Sequence, residues 1–371
     1  MVHDQKKIIS AIKAFECGEI VVVMDDDDRE NEGDLIVAAV HCTEEKMAFI
    51  IRHTTGIVCA PMLREGAQRL YLSPMVSDND SMHRTQFTVT VDFKYGTTTG
   101  ISAQDRTLTV RNLANPNACA SDFVRPGHIF PLIAHEGGVL MRSGHTEAAV
   151  DLCKLAGLPL VGVIGELVND DGSVKHGDEV TKFAQDNQLH VITVADLIAY
   201  RQQKEMLIKH IGEAHFETSV GAAVFRSYQL PWEAIQHVAV IFGDIRDGKD
   251  VPVFLHRENI MNDIFNQSSN IVTVMGRMMG KERRGVLIYL REGSVGVGSK
   301  LSVGVQGMAI EGSESHVQAI ERKEKWRRIG LGAQILRHLG INSMIVYASD
   351  EERYYTDFEG FGVHISRTEI L

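Results

Sequence analysis

The sequence predicts an α+β chain of mixed α/β layers in two domains, and three observations predict it. The 371 residues are 44% hydrophobic and 23% charged, a globular composition with length for two ordinary domains. Apolar strands, glycine-rich turns and helical patterns alternate up to the charged stretch Tyr200-Arg201-Gln202-Gln203-Lys204-Glu205. The same alternation resumes beyond it, which sets the expected domains at residues 1–205 and 210–371.

Residues 4–17 carry helical spacing at Ile8, Ile9, Ile12 and Phe15, closed by Gly18. Ile20–Met24 and Leu35–Val40 read as buried strands. A helix is expected over Glu44 to Arg52, and strands at Gly56–Pro61, Phe87–Asp92 and Gly138–Met141. Arg125-Pro126-Gly127-His128 reads as a turn. Thr146 to Ala156 has helical spacing, opens on Thr and Glu, and is stopped by Gly157 and Pro159. A strand over Leu160–Val168 ends in the turn Asn169-Asp170-Asp171-Gly172, and Glu179 to Asn187 and Ala195 to Lys209 read as closing helices. In the second domain, Val238–Phe242, Val251–Leu255 and Val286–Leu290 read as strands and Gly330 to Leu339 as a helix. The glycines from Gly293 to Gly307 mark a loop, and with no G-K-[ST] after them they make a weak phosphate motif.

A formal net charge of −11 and a pI near 5.8, without a Lys/Arg stripe, exclude a nucleic-acid backbone as partner, so a small anionic substrate needs a local basic pocket. No apolar stretch is long enough for a membrane span and no signal h-region opens the chain, so a cytoplasmic location is expected. The five cysteines, Cys17, Cys42, Cys59, Cys119 and Cys153, form no C-x-x-C pair and fit reduced thiols. None follows Cys153.

Asp25 to Asp34 is the most telling segment, with seven carboxylates and one guanidinium between two core strands. So many like charges repel unless neutralised, and clustered carboxylate oxygens suit a hard divalent ion such as Mg²⁺. Arg142-Ser143-Gly144-His145-Thr146-Glu147 sets an Arg and a His at a helix start, where backbone N–H groups and the dipole favour an anion such as phosphate. His145 is then a candidate ligand for the metal of the acidic loop. Glu166 stands in an apolar strand, where a carboxylate must be paired, metal-linked or raised in pKa.

Taken in order, Asp28-Arg29-Glu30-Asn31-Glu32-Gly33-Asp34, Thr97 to Ala103, Arg125-Pro126-Gly127-His128, Arg142 to Ala148 and Gly165-Glu166 resemble 3,4-dihydroxy-2-butanone 4-phosphate synthase over about residues 5–203. The resemblance implies ribulose 5-phosphate as substrate, Mg²⁺ or Mn²⁺ as cofactor, and a homodimer with sites near the subunit interface. It implies Glu30 and His145 as metal ligands. Arg29, Glu30, Asp34, Arg142, Ser143, Gly144, His145, Thr146 and Glu166 correspond to substrate contacts. His128 and Glu166 correspond to residues essential for turnover, and Cys59 to a cysteine near the site. Glu32 and Asp34 join them as candidate proton carriers. The implied chemistry is metal-assisted enediolate formation, dehydration, skeletal rearrangement and loss of formate.

Residues from about 210 resemble GTP cyclohydrolase II, most clearly at Arg284 to Arg291 and Gly330 to Leu336. That family binds zinc through three cysteines, one early and two in an R-C-D-C segment. Here His256 to Gln267 keeps Glu258, Asp263 and Phe265, but Asn259 stands at the first cysteine's place and no R-C-D-C follows. Arg291-Glu292-Gly293-Ser294 replaces the family's R-Q-E-G-R loop. No zinc is expected, and the second domain is expected to lack cyclohydrolase chemistry. The alternatives are a nucleotide-binding, regulatory or oligomerisation module, or a working cyclohydrolase.

Overall fold

The computed structural model describes residues 5–27, 29–259, 263, 270–291, 322, 326–348, 358 and 361–370. Asp28, Phe265 and the stretch from Gly293 to Gly307 lie outside the described residues. Among these residues the chain divides into two compact units that part between Tyr200 and Arg201.

The first unit runs α1 (Gln5–Glu16), β1 (Val21–Met24), β2 (Gly33–Ala38), α2 (Glu44–His53), β3 (Cys59–Met62), α3 (Arg64–Arg69), β4 (Gln86–Phe87), β5 (Val91–Phe93), α4 (Ala103–Leu113), β6 (Phe123–Ile133), α5 (His145–Leu155), β7 (Gly162–Glu166), α6 (Gly177–Asp186), β8 (His190–Thr193) and α7 (Val194–Lys204). Its strands form one mixed sheet in the order β4-β6-β3-β7-β2-β1-β8, with β5 paired to β6. Both faces are covered, because the strands are apolar on both sides. Val22, Leu35, Val37 and Val163 face α2, α4 and α6 through Met47, Ile50, Val110 and Val180. Val21, Val23, Ile36 and Ile164 face α1, α5 and α7 through Phe15, Ala148, Leu152 and Leu197. Strand pairing then gathers carboxylates from separate segments at one edge of this layer. β1 and β2 pair antiparallel with Met24 opposite Gly33, and β2 and β7 pair with Asp34 opposite Glu166.

Four expectations need correcting. The strand expected over Phe87–Asp92 is two short strands, β4 (Gln86–Phe87) and β5 (Val91–Phe93), with residues 88–90 between them. Arg125 to His128 lies within β6 and is not a turn; Gly127 crosses β5 so closely that a Cβ would run into the Val91 and Asp92 backbone. Gly138–Leu140 is a 3₁₀ turn, not a strand, with Gly138 at φ 63 and Val139 N donating to Asp151 Oδ2 at 2.8 Å. The helix expected to reach Lys209 ends at Lys204, and a strand begins at Lys209. Helix α4 gave no apolar period because its buried face carries Asp105, Arg106, Thr107 and Thr109.

The second unit contains β9 (Lys209–Thr218), β10 (Gly221–Gln229), β11 (Gln236–Phe242), β12 (Val251–Arg257), α8 (Asn270–Glu282), β13 (Gly285–Leu290), α9 (Leu331–His338), β14 (Ser343–Ala348) and β15 (His364–Ile370). Its sheet order is β15-β14-β12-β13-β11-β10-β9. Val240, Phe242, Phe254, Leu287 and Ile345 pack beneath Val274, Met275 and Met278 of α8. Among the described residues no helix is long and apolar enough to cross a membrane.

Candidate active site

The acidic loop is a structured turn. Asp26 O accepts from Arg29 N at 3.0 Å and from Asn31 N at 3.2 Å, and Asn31 takes φ 56, a left-handed value that Asn tolerates. Glu32 N donates to Asp25 Oδ1 at 2.9 Å. Arg29 Nη1 donates to Asp25 Oδ2 at 2.6 Å and to Glu30 Oε2 at 2.5 Å, so the chain supplies one internal cation between two carboxylates. Asp26 is buried as well, whereas Asp27 is exposed.

Opposite this turn lies the start of α5. Single ligand atoms of Asp25, Glu30 and His145 all lie within 4.8 Å of one another. His145 is buried, its Nε2 has no hydrogen-bond partner, and its Nδ1 stands 3.7 Å from Asp34 Oδ1. A buried ring nitrogen without a partner is costly, and two carboxylates converging beside it make an oxygen-rich set with one imidazole, which fits Mg²⁺ or Mn²⁺. Glu30 Oε1 also meets His83 Nε2 at 3.1 Å.

Carboxylates crowd the same strand ends. Asp34 is pushed up to about 6 by burial, which with negative Glu166, Glu30 and Asp25 outweighs the opposing pull of His145. Glu32 is pushed up to about 9 by burial, by its hydrogen bond to the Glu166 side chain, and by negative Glu166, Glu30 and Asp25. The bond between the Glu32 and Glu166 side chains requires a proton between the two carboxyl groups, and burial and the surrounding negative charge favour holding it there. Cys59 sits near Asp34 and Glu166, and burial with those two charges pushes its thiol up to about 12, so it is a packed thiol and not a thiolate.

The helix start is pinned from within. Arg142 is buried and donates Nη1 to Glu147 Oε2 at 2.7 Å and Nη2 to Thr85 Oγ1 at 2.9 Å and His83 O at 3.2 Å. Much of the guanidinium is thus spent on holding the 83–85 segment against α5. Gly144 is the N-cap without a side-chain bond, and a Cβ there would lie 2.5 Å from Arg142 Nη1. Ser143 and Thr146 are buried beside it. His128 is held elsewhere, by Asp92: its Nδ1 lies 2.7 Å from Asp92 Oδ2, and its backbone N donates to Asp92 Oδ1 at 2.8 Å.

Residues 9–200 match the family model for 3,4-dihydroxy-2-butanone 4-phosphate synthase. The chain belongs to that family. Residues 209–369 match the GTP cyclohydrolase II model, so the synthase domain is followed by a cyclohydrolase II-like one. The Monofunctional riboflavin biosynthesis protein RIBA 2, chloroplastic, of Arabidopsis thaliana is 43% identical over 363 residues, covering 97% of this chain and 75% of the relative. The Bifunctional riboflavin biosynthesis protein RIBA 1, chloroplastic, of the same plant is 42% identical, covering 96% and 67%. Among solved structures, RibBX, a two-domain 3,4-dihydroxy-2-butanone 4-phosphate synthase from A. baumannii, aligns with a TM-score of 0.72 at 30% identity over 97% of this chain and 99% of that one. A synthase crystallised with two magnesium ions aligns with a TM-score of 0.52 at 47% identity, over 53% and 97%.

The synthase domain brings together Arg29, Glu30, Glu32, Asp34, His145 and Glu166, as the motifs implied. Sequence reading did not single out Asp25, which converges with Glu30 and His145, nor His83 and Asp92, which meet Glu30 and His128. Asp92 carried a readable signal, a carboxylate within a strand-like run, of the kind that singled out Glu166. His83 had none.

The cyclohydrolase-like unit gives zinc no thiolate, since no cysteine follows Cys153. Among the described residues, His256 and Asp263, the pair left in the segment where the first cysteine is replaced, are engaged with each other. Asp263 takes His256 Nε2 at 2.8 Å, Tyr289 Oη at 2.7 Å and the N–H of Asn259 at 2.9 Å. Among the described residues, His256 and Asp263 are one imidazole and one carboxylate already bonded to protein groups, a set that differs from the ligands zinc takes.

Proposed function

We propose that the synthase domain converts ribulose 5-phosphate to 3,4-dihydroxy-2-butanone 4-phosphate and formate in riboflavin biosynthesis, with Mg²⁺ or Mn²⁺ held by Asp25, Glu30 and His145. The observation that carries this is the buried His145, whose Nε2 has no hydrogen-bond partner and one of whose ring nitrogens lies with carboxylate oxygens of Asp25 and Glu30 within 4.8 Å of one another. A relative's two magnesium ions support the choice of cation. When bound, the ion stabilises negative charge developing on adjacent substrate oxygens.

The protein groups divide the remaining work. Arg29, which bridges Asp25 and Glu30, is the guanidinium that would be available to the substrate if a bound cation neutralised those two carboxylates. Arg142 Nε with the N–H groups of the α5 start receives the phosphate, alongside Ser143, Gly144 and Thr146. Asp34, raised toward neutrality, removes a proton beside the ketone, and the Glu32–Glu166 pair passes a proton to a departing hydroxyl. His128 supplies a further acid–base nitrogen. The homodimer and cytoplasmic location belong to this same reading.

The cyclohydrolase-like unit, on this reading, opens no purine ring, because its donor set does not fit zinc. The bifunctional relative motivates the competing reading of a working cyclohydrolase. Purified protein with ribulose 5-phosphate and Mg²⁺ should release formate, and Glu30→Ala should abolish the release. No formate at any metal concentration would refute the synthase reading. GTP turnover with stoichiometric zinc would refute the claim about the second unit, and heat on titration with GTP without turnover would make that unit a nucleotide-binding module.

A further inference from the structure

One oxygen of Glu30 is held from outside both the acidic loop and α5. Glu30 Oε2 takes Arg29 Nη1 at 2.5 Å, and Glu30 Oε1 meets Nε2 of His83 at 3.1 Å. His83 belongs to the segment that leads into β4, and both its ring and the Glu30 side chain are partly exposed. A neutral imidazole donates one N–H, so with Nε2 protonated the ring can hold a carboxylate oxygen without carrying a charge.

The segment bearing His83 is a built turn, and it is tied to the helix that bears His145. Asn79 Oδ1 accepts from Ser81 N at 3.1 Å and Asn79 Nδ2 donates to Thr85 O at 2.9 Å, which closes the turn across its base. Ser81 O accepts from Arg84 N at 3.0 Å, and Arg84 takes φ 49, a left-handed value that a long side chain seldom adopts. Buried Arg142 grips the residues on either side of Arg84, donating Nη2 to His83 O at 3.2 Å and to Thr85 Oγ1 at 2.9 Å. Its Nη1 donates to Glu147 Oε2 at 2.7 Å, in the first turn of α5. Two of the three residues that converge on one point therefore share a frame: His145 through α5 itself, and Glu30 through His83 and Arg142.

A partly exposed glutamate has several rotamers open to it, and ordering it at the moment of binding costs affinity. A hydrogen bond that orders it beforehand removes that cost, as outer partners of metal-ligating carboxylates do. We propose that His83 is a positioning residue for the divalent cation, its Nε2–H holding the Glu30 carboxylate toward Asp25 and His145, with Arg142 anchoring the turn that carries it. The inference rests on the reading that Asp25, Glu30 and His145 hold that cation.

Binding of Mn²⁺ to the full chain, followed by the paramagnetic resonance of the free ion, reads the site without turnover. His83→Ala should weaken Mn²⁺ binding ~10-fold, the scale on which outer partners of metal ligands act. His83→Gln, whose amide offers an N–H at similar reach, should recover most of that loss. In formate release, the Mn²⁺ concentration for half-maximal rate should rise by the same factor in His83→Ala, while kcat at saturating Mn²⁺ changes less than ~3-fold. Wild-type Mn²⁺ affinity in His83→Ala would overturn the positioning role, and so would equal losses in the alanine and glutamine variants. If the wild type binds no Mn²⁺, or Glu30→Ala binds it as tightly as the wild type, the reading of the cation site falls first. Should His83→Ala fail to fold, ¹⁵N-histidine spectra of the wild type still decide, since a His83 ring without a hydrogen on Nε2 would overturn the proposal.

Discussion

At the residue scale, the acidic segment resolves into unlike parts. Asp25 converges with Glu30 and His145, Glu32 shares a proton with Glu166, Asp27 faces water, and Asp34 is buried. Four consecutive aspartates look alike in a sequence. Only the turn that hydrogen-bonds Arg29 and Asn31 to Asp26 O decides which of them points inward, which is why Asp25 went unassigned. His145 was singled out by its place at a helix start beside an acidic loop, and Glu30 by the resemblance of its motif to the synthase family.

Asp34 supports a prediction with a definite sign. Its folded value, about 6, lies above its ordinary 3.8, so the protonated form is favoured in the fold. The stability it contributes is complete below pH 3.8 and is lost as pH rises through about 6. In metal-free buffer at pH 8, Asp34→Asn should therefore be more stable than wild type by on the order of 2 kcal/mol, with the gap closing below pH 4. Urea midpoints across that range test this, and a gap that widened on acidification would contradict the assignment. The same variant should lose formate release.

At the element scale, legibility followed the apolar period. α1, α2 and α5, with β1, β2 and β7, were found because each buries an apolar stripe or run against a sheet face or helix layer. α4 was not, since it turns Asp105, Arg106, Thr107 and Thr109 inward. Its buried polar face works as a bracket for the 97–100 turn. Asp105→Ala would strand the N–H groups of Thr98 and Gly100, and should cost about 3 kcal/mol in chemical denaturation. Asp105→Asn, whose one acceptor oxygen can serve only one of the two N–H groups, should cost less than Asp105→Ala but not restore full stability. Equal losses in the two variants would show that the carboxylate's hydrogen bonds are not what holds the turn.

At the scale of the whole molecule, the two units are unequal in chemical endowment. Among the described residues, the group of carboxylates and imidazole close enough to hold a cation lies in the synthase domain, while His256, Asp263 and Tyr289 of the second unit satisfy one another. Magnesium should therefore raise the unfolding temperature of the synthase domain alone, by an amount equivalent to about 2.7 kcal/mol at a hundred times its dissociation constant. Differential scanning calorimetry with and without Mg²⁺ checks this, with Glu30→Ala as the variant that should not respond. A magnesium shift of the other transition, or one that persists in Glu30→Ala, would place the cation elsewhere. The division into two domains was legible from one charged stretch. The strand pairing within each was not, because pairings such as Asp34 with Glu166 join residues far apart in the chain.

The one-sided distribution of thiols makes the enzyme its own reporter. Cys17 and Cys119 are exposed, while Cys42, Cys59 and Cys153 are buried with thiols pushed up to about 12. A thiol-reactive dye added at neutral pH would colour the folded protein at the two exposed positions, and each further equivalent would count an opening of the synthase domain. The second unit carries no thiol and stays dark throughout. Dye uptake followed beside circular dichroism thus separates the melting of one half from the other in the unmodified wild-type chain, with no label engineered into either.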